Sequence, residues 1–200
     1  MKKNLLLLGL SVLLLSGCSF FGFGQNDEAT IPVSAPETSE TQETPETSET
    51  LQAEAKMVNA DGNELGVVNF TESNEGVMIS LNLKDVPEGE RGIHIHAVGK
   101  CEPPTFESAG DHFNPTEMKH GVENPEGPHA GDLPNVTPEN GVVASEYLAK
   151  NLTLQKGMAN SLLDEDGSAI VLHENADDYK TDPSGESGGR IGCGVITPIE

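Results

Sequence analysis

The sequence predicts an all-β protein, and three observations support that fold class. Glycine and proline are abundant, with 22 and 13 residues, whereas aromatic residues make up only 4% of the chain. After about residue 52, short runs alternate apolar and polar residues, and clusters of Gly, Pro, Asn and Asp separate these runs. Many short strands joined by Gly- and Pro-rich turns are typical of a sandwich or a barrel.

The N-terminal residues predict a targeting segment that plays no part in the fold. Lys2 and Lys3 precede an apolar stretch, residues 5–15, that is too short to span a bilayer comfortably. The next residues, Leu-Ser-Gly-Cys, end at Cys18 and resemble a bacterial lipobox. The prediction is a signal peptide over 1–17 and lipid attachment at Cys18, which would make the protein extracytoplasmic and lipid-anchored to the bacterial cell membrane. An ordinary signal peptide with an incidental cysteine is the alternative.

Residues 18–51 predict a disordered tether between the lipid and a folded domain. They contain the low-complexity tract APETSETQETPETSET. Such a tract cannot bury enough apolar surface to offset the entropy lost on ordering. A flexible tether of this length has an r.m.s. reach of roughly 30 Å, which could hold the domain clear of the membrane. The folded domain is therefore expected over 52–200.

Seven strand-like runs follow within that domain. They cover residues 53–58, 65–70, 76–83, 92–98, 141–148, 168–173 and 192–196. Asp61-Gly62 and Asp166-Gly167 are turn signals. Between the fourth and fifth runs, residues 100–138 show little periodicity, and so long an irregular segment suggests a functional loop that something must order.

Charge and cysteine content limit the possible partners and compartments. The chain carries 33 acidic and 11 basic residues, for a net charge of −22. Nucleic-acid binding needs a basic footprint, so a nucleic-acid partner is excluded, and membrane contact is expected through the lipid alone. Export would place Cys101 and Cys193 in an oxidising compartment, where two cysteines usually pair. Two independent buried thiols are the alternative.

All six histidines lie in motifs that predict metal binding. His94 and His96 are two residues apart in a strand-like run, so both side chains point to one face and can supply two corners of a copper site. A second group, a potential tetrahedral zinc site, lies within the long loop. Its members are His112, His120, His129 and Asp132. Taken alone, each group could also be incidental.

His173 ends the run SAIVLH, and Asp177 follows four residues later. In isolation this histidine could simply be a satisfied core residue. A metal-bound histidine, however, usually needs an acceptor for its second ring nitrogen, and Asp177 could be that acceptor.

Five motifs together resemble the copper/zinc superoxide dismutases, in particular the exported bacterial type. In chain order they read GIHIHAVG, AGDHFNP, PHAGDL, LHENADD and GGRIGCGVI, and the resemblance covers about 52–200. It implies an eight-stranded Greek-key β-barrel or sandwich with long metal-binding loops. It also implies copper and zinc as cofactors, superoxide as substrate, and copper redox cycling that yields oxygen and hydrogen peroxide at the cell surface.

The resemblance assigns a role to each motif residue. The implied copper ligands are His94, His96, His112 and His173. The implied zinc ligands are His112, His120, His129 and Asp132. His112 would bridge the two metals, Asp177 would link His94 to His120, Arg190 would guide the anion, and Cys101 would pair with Cys193.

Two features depart from the family pattern. The segment between His173 and Arg190 is shorter than in the animal enzymes, and Asp111 adds negative charge beside His112. Neither removes a ligand. A surface lipoprotein that binds copper or zinc without turnover is the competing function, and it would need neither a bridging histidine nor a guiding arginine.

Overall fold

The computed structural model describes residues 50–200, so the predicted signal peptide, Cys18 and nearly all of the predicted tether lie outside the described residues. The described chain is all-β, as predicted, with one short 3₁₀ turn at Glu107–Ala109. Seven strands form within it. They are β1 (Gln52–Asn59), β2 (Glu64–Ser73), β3 (Gly76–Leu83), β4 (Ile93–His96), β5 (Val143–Ala149), β6 (Ala169–His173) and β7 (Arg190–Pro198).

The seven strands form one antiparallel sheet in the order β4-β6-β7-β1-β2-β3-β5. Each of the seven predicted runs overlaps one of them. The resemblance implied eight strands in a Greek key; seven form among residues 50–200, and the eighth strand and that connectivity stay predictions. In the segment between β5 and β6, Leu152, Leu154 and Leu162 are buried, but the segment forms only an isolated bridge.

Burial differs between the two halves of the sheet. β1, β2 and β3 alternate between buried and more exposed residues, which is the pattern of a sheet with one face on the core. β4 and β6 are buried at every position. One face of this pair carries Ile93, Ile95, Ile170 and Leu172 into the main core. The other face carries His94 and His96, so the main apolar core and the buried histidines lie on opposite faces of this strand pair.

The long loop, residues 97–142, folds back along the open edge of β4. Ile95 donates its backbone N–H to Gly131 O at 2.9 Å and accepts one from Phe113 at 2.8 Å. Gly131 is required at this point, because a Cβ there would lie 2.4 Å from Ile95 O. These contacts place His112 opposite His96 and Asp132 opposite His94.

A disulfide pins the first part of the long loop to β7. It joins Cys101 and Cys193, as predicted, with the two Cα atoms 5.6 Å apart. A second buried cluster surrounds it on the histidine side of the sheet and includes Phe106, Ala109 and Val171. No helix among the described residues is long and apolar enough to cross a membrane.

Candidate metal centre

The first group of histidines gathers on the outer face of β4 and at the end of β6. His94 and His96 lie two residues apart on β4, His173 closes β6, and His112 reaches them from the long loop through its pairing with His96. One ring nitrogen from each of the four lies within 4.8 Å of the others, and all four residues are buried. These are the four residues that the family resemblance implied as copper ligands, and we call them the copper-facing set.

The second group lies entirely on the long loop and converges on one carboxylate oxygen. Asp132 Oδ1 lies 2.8 Å from His112 Nδ1, 3.1 Å from His120 Nδ1 and 3.2 Å from His129 Nδ1. Its other oxygen accepts the backbone N–H groups of Gly121 and His129 at 2.9 and 3.0 Å. These four side chains form the zinc-facing set, and His112 belongs to both sets through its two ring nitrogens.

Asp177 connects the two sets, at the place predicted for it. Its Oδ2 accepts a hydrogen bond from His94 Nε2 at 2.8 Å, and its Oδ1 accepts one from His120 Nε2 at 2.9 Å. All three side chains are fully buried. One carboxylate thus orients a histidine of each set and leaves the Nδ1 atom of each ring to face its own group.

The hydrogen bonds left unmade show which ring nitrogens are free to bind metal. His94 Nδ1 and His112 Nε2 are buried and have no hydrogen-bond partner in the described chain. His96 Nε2 and His173 Nε2 face each other at 3.4 Å, while the Nδ1 of His96 is 2.8 Å from Gly110 O. Leaving buried ring nitrogens unpaired is costly unless a ligand satisfies them. The donor set therefore fits copper on one side and zinc on the other.

Burial keeps three of the copper-facing histidines neutral. Burial, together with the charge of neighbouring histidines, lowers the pKa of His96 and of His173 to about 2. Burial also lowers the pKa of His112, to about 4, although its hydrogen bond to Asp132 works in the opposite direction. Neutral imidazole is the form that binds metal, so these three rings are available at neutral pH.

On the zinc-facing side, hydrogen bonds outweigh burial and favour the charged forms of His120 and Asp132 when no metal is bound. Burial disfavours the charged form of His120, but hydrogen bonds to Asp132 and Asp177 outweigh it and raise the pKa to about 9. Burial raises the pKa of Asp132, yet the hydrogen bonds of three histidines hold that pKa well below its ordinary range. A cation bound there would replace the proton that these carboxylates otherwise attract.

Arg190 lies in a cleft of about 580 Å³ that also reaches the copper-facing set. The cleft is lined in part by His96, His112, His173 and Arg190. Arg190 donates hydrogen bonds to Phe106 O at 2.8 Å and to Gly110 O at 2.7 Å, which holds the guanidinium at the start of β7. Gly110 O also lies 2.8 Å from His96 Nδ1, so one carbonyl positions both groups.

The cleft also contains the acidic residue that the sequence singled out. Asp111 lines the cleft and is exposed, and its charge acts on Arg190. Lys119 lines the same cleft, but an ion pair with Asp182 at 3.2 Å partly offsets its charge. Among the described residues, Arg190 is therefore the cation of this cleft that forms no ion pair with a carboxylate.

Sequence reasoning missed the residues that hold Asp177 in place. Asn135 Nδ2 donates to Asp177 O, and Asn135 Oδ1 accepts the Asp177 N–H, both at 2.9 Å. The hydroxyl of Tyr179 accepts the backbone N–H of Asn135 at 2.8 Å. An asparagine and a tyrosine in loops carry no periodic or spacing signal, and their partners lie about forty residues away, so one sequence could not reveal these contacts.

Comparison with known proteins agrees with this geometry. Residues 64–196 match the family described as copper/zinc superoxide dismutase (SODC). The chain belongs to that family.

Relatives in several bacteria have the same family name. The chain is 51% identical over 148 residues to superoxide dismutase [Cu-Zn] 2 of Aquifex aeolicus, which covers 73% of this chain and 86% of that protein. It is 41% identical over 199 residues to the superoxide dismutase-like protein YojM of Bacillus subtilis, and the match covers 98% of this chain and 96% of that protein. The crystal structure of a SOD-like protein from Bacillus subtilis matches with a TM-score of 0.70 at 43% identity, over 72% of this chain and 97% of that chain.

Proposed function

We propose that this protein is a copper/zinc superoxide dismutase that converts two superoxide anions and two protons into oxygen and hydrogen peroxide. The observation that carries the proposal is the shared position of His112, with Nε2 turned to the copper-facing set and Nδ1 to the zinc-facing set. A metal store would have no use for that arrangement. Membership of the family and relatives named superoxide dismutase support the same function.

The ring nitrogens suggest which atoms would hold each metal. Copper would bind to Nδ1 of His94 and to Nε2 of His96, His112 and His173. Zinc would bind to the Nδ1 atoms of His112, His120 and His129 and to the carboxylate of Asp132. When bound, copper supplies reversible one-electron chemistry and zinc, which has no redox chemistry, supplies charge and rigidity.

The protein's own residues would bind the substrate and move the protons. The guanidinium of Arg190 offers a planar pair of N–H donors to a small anion that enters the cleft. His112 would hold a proton at Nε2 and give it up to the departing peroxide, while its Nδ1 stays fixed on the zinc-facing side. Asp177 and Gly110 O keep the neighbouring rings in place, so the geometry need not reorganise between steps.

The test is a superoxide dismutation assay on the purified protein loaded with copper and zinc. We expect rapid dismutation that disappears when copper is removed and returns when it is restored. A loaded protein that binds both metals but leaves superoxide to decay at its spontaneous rate would favour the metal-binding lipoprotein instead.

We further propose that the enzyme works outside the cytoplasm on a lipid anchor, where it removes superoxide that reaches the cell surface. The lipobox-like sequence ending at Cys18 supports this location. Cys18→Ser should move the protein from the membrane fraction to the soluble exported fraction, with His129→Ala as a control that leaves the anchor intact. Retention of Cys18→Ser in the membrane fraction would contradict the proposal.

A further inference from the structure

Ser187 is a buried serine beside the copper-facing set that the mechanism does not use. It lies in the short loop, residues 174–189, which connects β6 to β7. Its side chain is fully buried, and its Oγ is 3.1 Å from His173 Nδ1. The same ring nitrogen has one other neighbour of hydrogen-bonding type in the described chain, Gly188 O, at the long distance of 3.5 Å. The hydroxyl is thus the closer of the two partners.

The backbone around Ser187 fixes the position of that hydroxyl. Ser187 O accepts the backbone N–H of Asn175 at 2.8 Å, and its own N–H bonds to Ser184 O at 3.3 Å. On its other side, a Cβ at Gly92 would lie only 3.1 Å from Ser187 Cβ and 3.2 Å from His94 Cε1. Ser187 therefore packs beside Gly92, just before β4, while it contacts His173 at the end of β6.

A hydroxyl suits this position better than a carbonyl does, because it can both donate and accept. If His173 Nε2 carries the ring proton, Nδ1 is an acceptor and the hydroxyl can donate to it. If Nε2 binds a metal, Nδ1 carries the proton and the hydroxyl can accept it. Gly188 O can only accept a hydrogen bond, so it can pair with Nδ1 only when Nδ1 carries the proton. At 3.5 Å that hydrogen bond would be weak.

We propose that Ser187 is the positioning residue for His173: its buried hydroxyl orients the ring and, by accepting a hydrogen bond from Nδ1–H, makes Nε2 a stronger donor to copper. The proposal rests on the assignment of His173 as a copper ligand in the proposed function. An acceptor on the far nitrogen raises ligand basicity and favours the more highly charged oxidation state. Ser187 would thereby tune copper affinity and reduction potential without touching the substrate.

The test compares Ser187→Ala with the parent protein, both loaded with copper and zinc. Copper(II) affinity is measured by competition with a chromophoric chelator, the copper environment by electron paramagnetic resonance, and the reduction potential by redox titration. We expect roughly tenfold weaker copper(II) binding, a changed copper spectrum and a higher reduction potential, with zinc affinity unchanged. A purely structural role would lower the unfolding temperature and leave the potential and spectrum as they are.

Ser168→Ala is the matched control. Ser168 is also fully buried, but its hydroxyl has no hydrogen-bond partner among the described residues. Deleting that hydroxyl should therefore leave copper affinity, spectrum and potential at parental values. If Ser187→Ala matches Ser168→Ala in all three, the positioning role is wrong while the enzyme assignment stands. A parent protein that fails to bind copper at all would overturn both.

Discussion

The copper-facing and zinc-facing sets differ in what holds them in place. Three of the four copper-facing histidines lie on strands, in β4 and at the end of β6, where neighbouring strands and the buried core fix the backbone. All four zinc-facing residues lie on the long loop, which pairs with β4 only near His112 and Asp132, so contacts between side chains and loops must remove the remaining backbone freedom. The sheet therefore positions most of the copper-facing half directly, whereas the zinc-facing half depends in addition on Asp132 and its five hydrogen bonds.

The largest predicted effect concerns His112, the residue common to both halves. His112→Ala should still bind copper through His94, His96 and His173, because the sheet holds them. Turnover should fall on the order of 100-fold or more, since the proposed proton carrier is lost, and the copper spectrum should no longer respond to zinc. Dismutation assays and spectra with and without zinc measure both effects. His129→Ala affects only the zinc-facing half and should lose less of the dismutation rate than His112→Ala does. A His112→Ala protein that dismutates superoxide as fast as the parent would disprove the bridging role.

The second prediction concerns Arg190, which belongs to the copper side alone. Arg190→Glu should lower the rate by roughly 10- to 100-fold while both metals stay bound, because it replaces attraction of the anion by repulsion. Salt should partly restore the rate of the variant by screening that repulsion. Lys150→Glu makes the same charge change outside the cleft and serves as the control. Equal losses in both variants would show that net charge, not Arg190, matters.

The third prediction tests whether the two halves are independently ordered. Asp132→Ala should increase amide hydrogen exchange in the long loop by roughly tenfold or more, most of all at Gly121 and His129, whose N–H groups bond to Asp132. Amides of β6 should keep their protection. Asp61→Ala, in the β1–β2 hairpin, is the control. If protection against hydrogen exchange fell equally in the long loop and across the sheet, the copper-facing half would not be ordered independently of the zinc-facing half.

The last prediction concerns the pH dependence of stability in the metal-free protein. His96, His173 and His112 have pKa values below 6.5 when folded, so the unfolded chain binds more protons as the pH falls through 6.5. Stability should then decrease as the pH falls below 6.5, because protons bind to the unfolded chain before they bind to these folded histidines.

His120 acts in the opposite direction because its pKa is raised to about 9. Its contribution is complete below pH 6.5 and is lost as the pH rises through 9. Denaturant unfolding of the metal-free protein from pH 4 to 10 should therefore show greatest stability near neutrality. Continuous stabilisation down to pH 4 would contradict the neutral state of the copper-facing rings.

Local signals in the sequence predicted the strands well, whereas the complete ligand sets came from the family resemblance. Alternating residues located all seven strands, and the two-residue spacing of His94 and His96 placed them on one face. The Cys101–Cys193 disulfide was also predicted and is present. These features depend on residue type and spacing within short segments.

Apart from Asp177, the contacts that support the candidate ligands were not predicted, because they depend on the fold. Gly110 offers only a carbonyl, which every residue has, yet it lies between His96 and Arg190. Ser187 and Asn135 act across 14 and 42 residues of chain. The position of a backbone carbonyl or a loop hydroxyl follows from how β4, β6 and the two loops pack, and no pattern within one sequence encodes it.

The pairing of the long loop with β4 also bears on solubility. Without that cover, β4 would be the outer strand of the sheet, with unpaired backbone groups and four residues that are otherwise buried. Exposed strand edges of this kind pair readily with other chains. The same hydrogen bonds that bring His112 and Asp132 to the centre therefore also block self-association through β4. A change that breaks this pairing would therefore expose the protein to aggregation as well as disturb the metal centre.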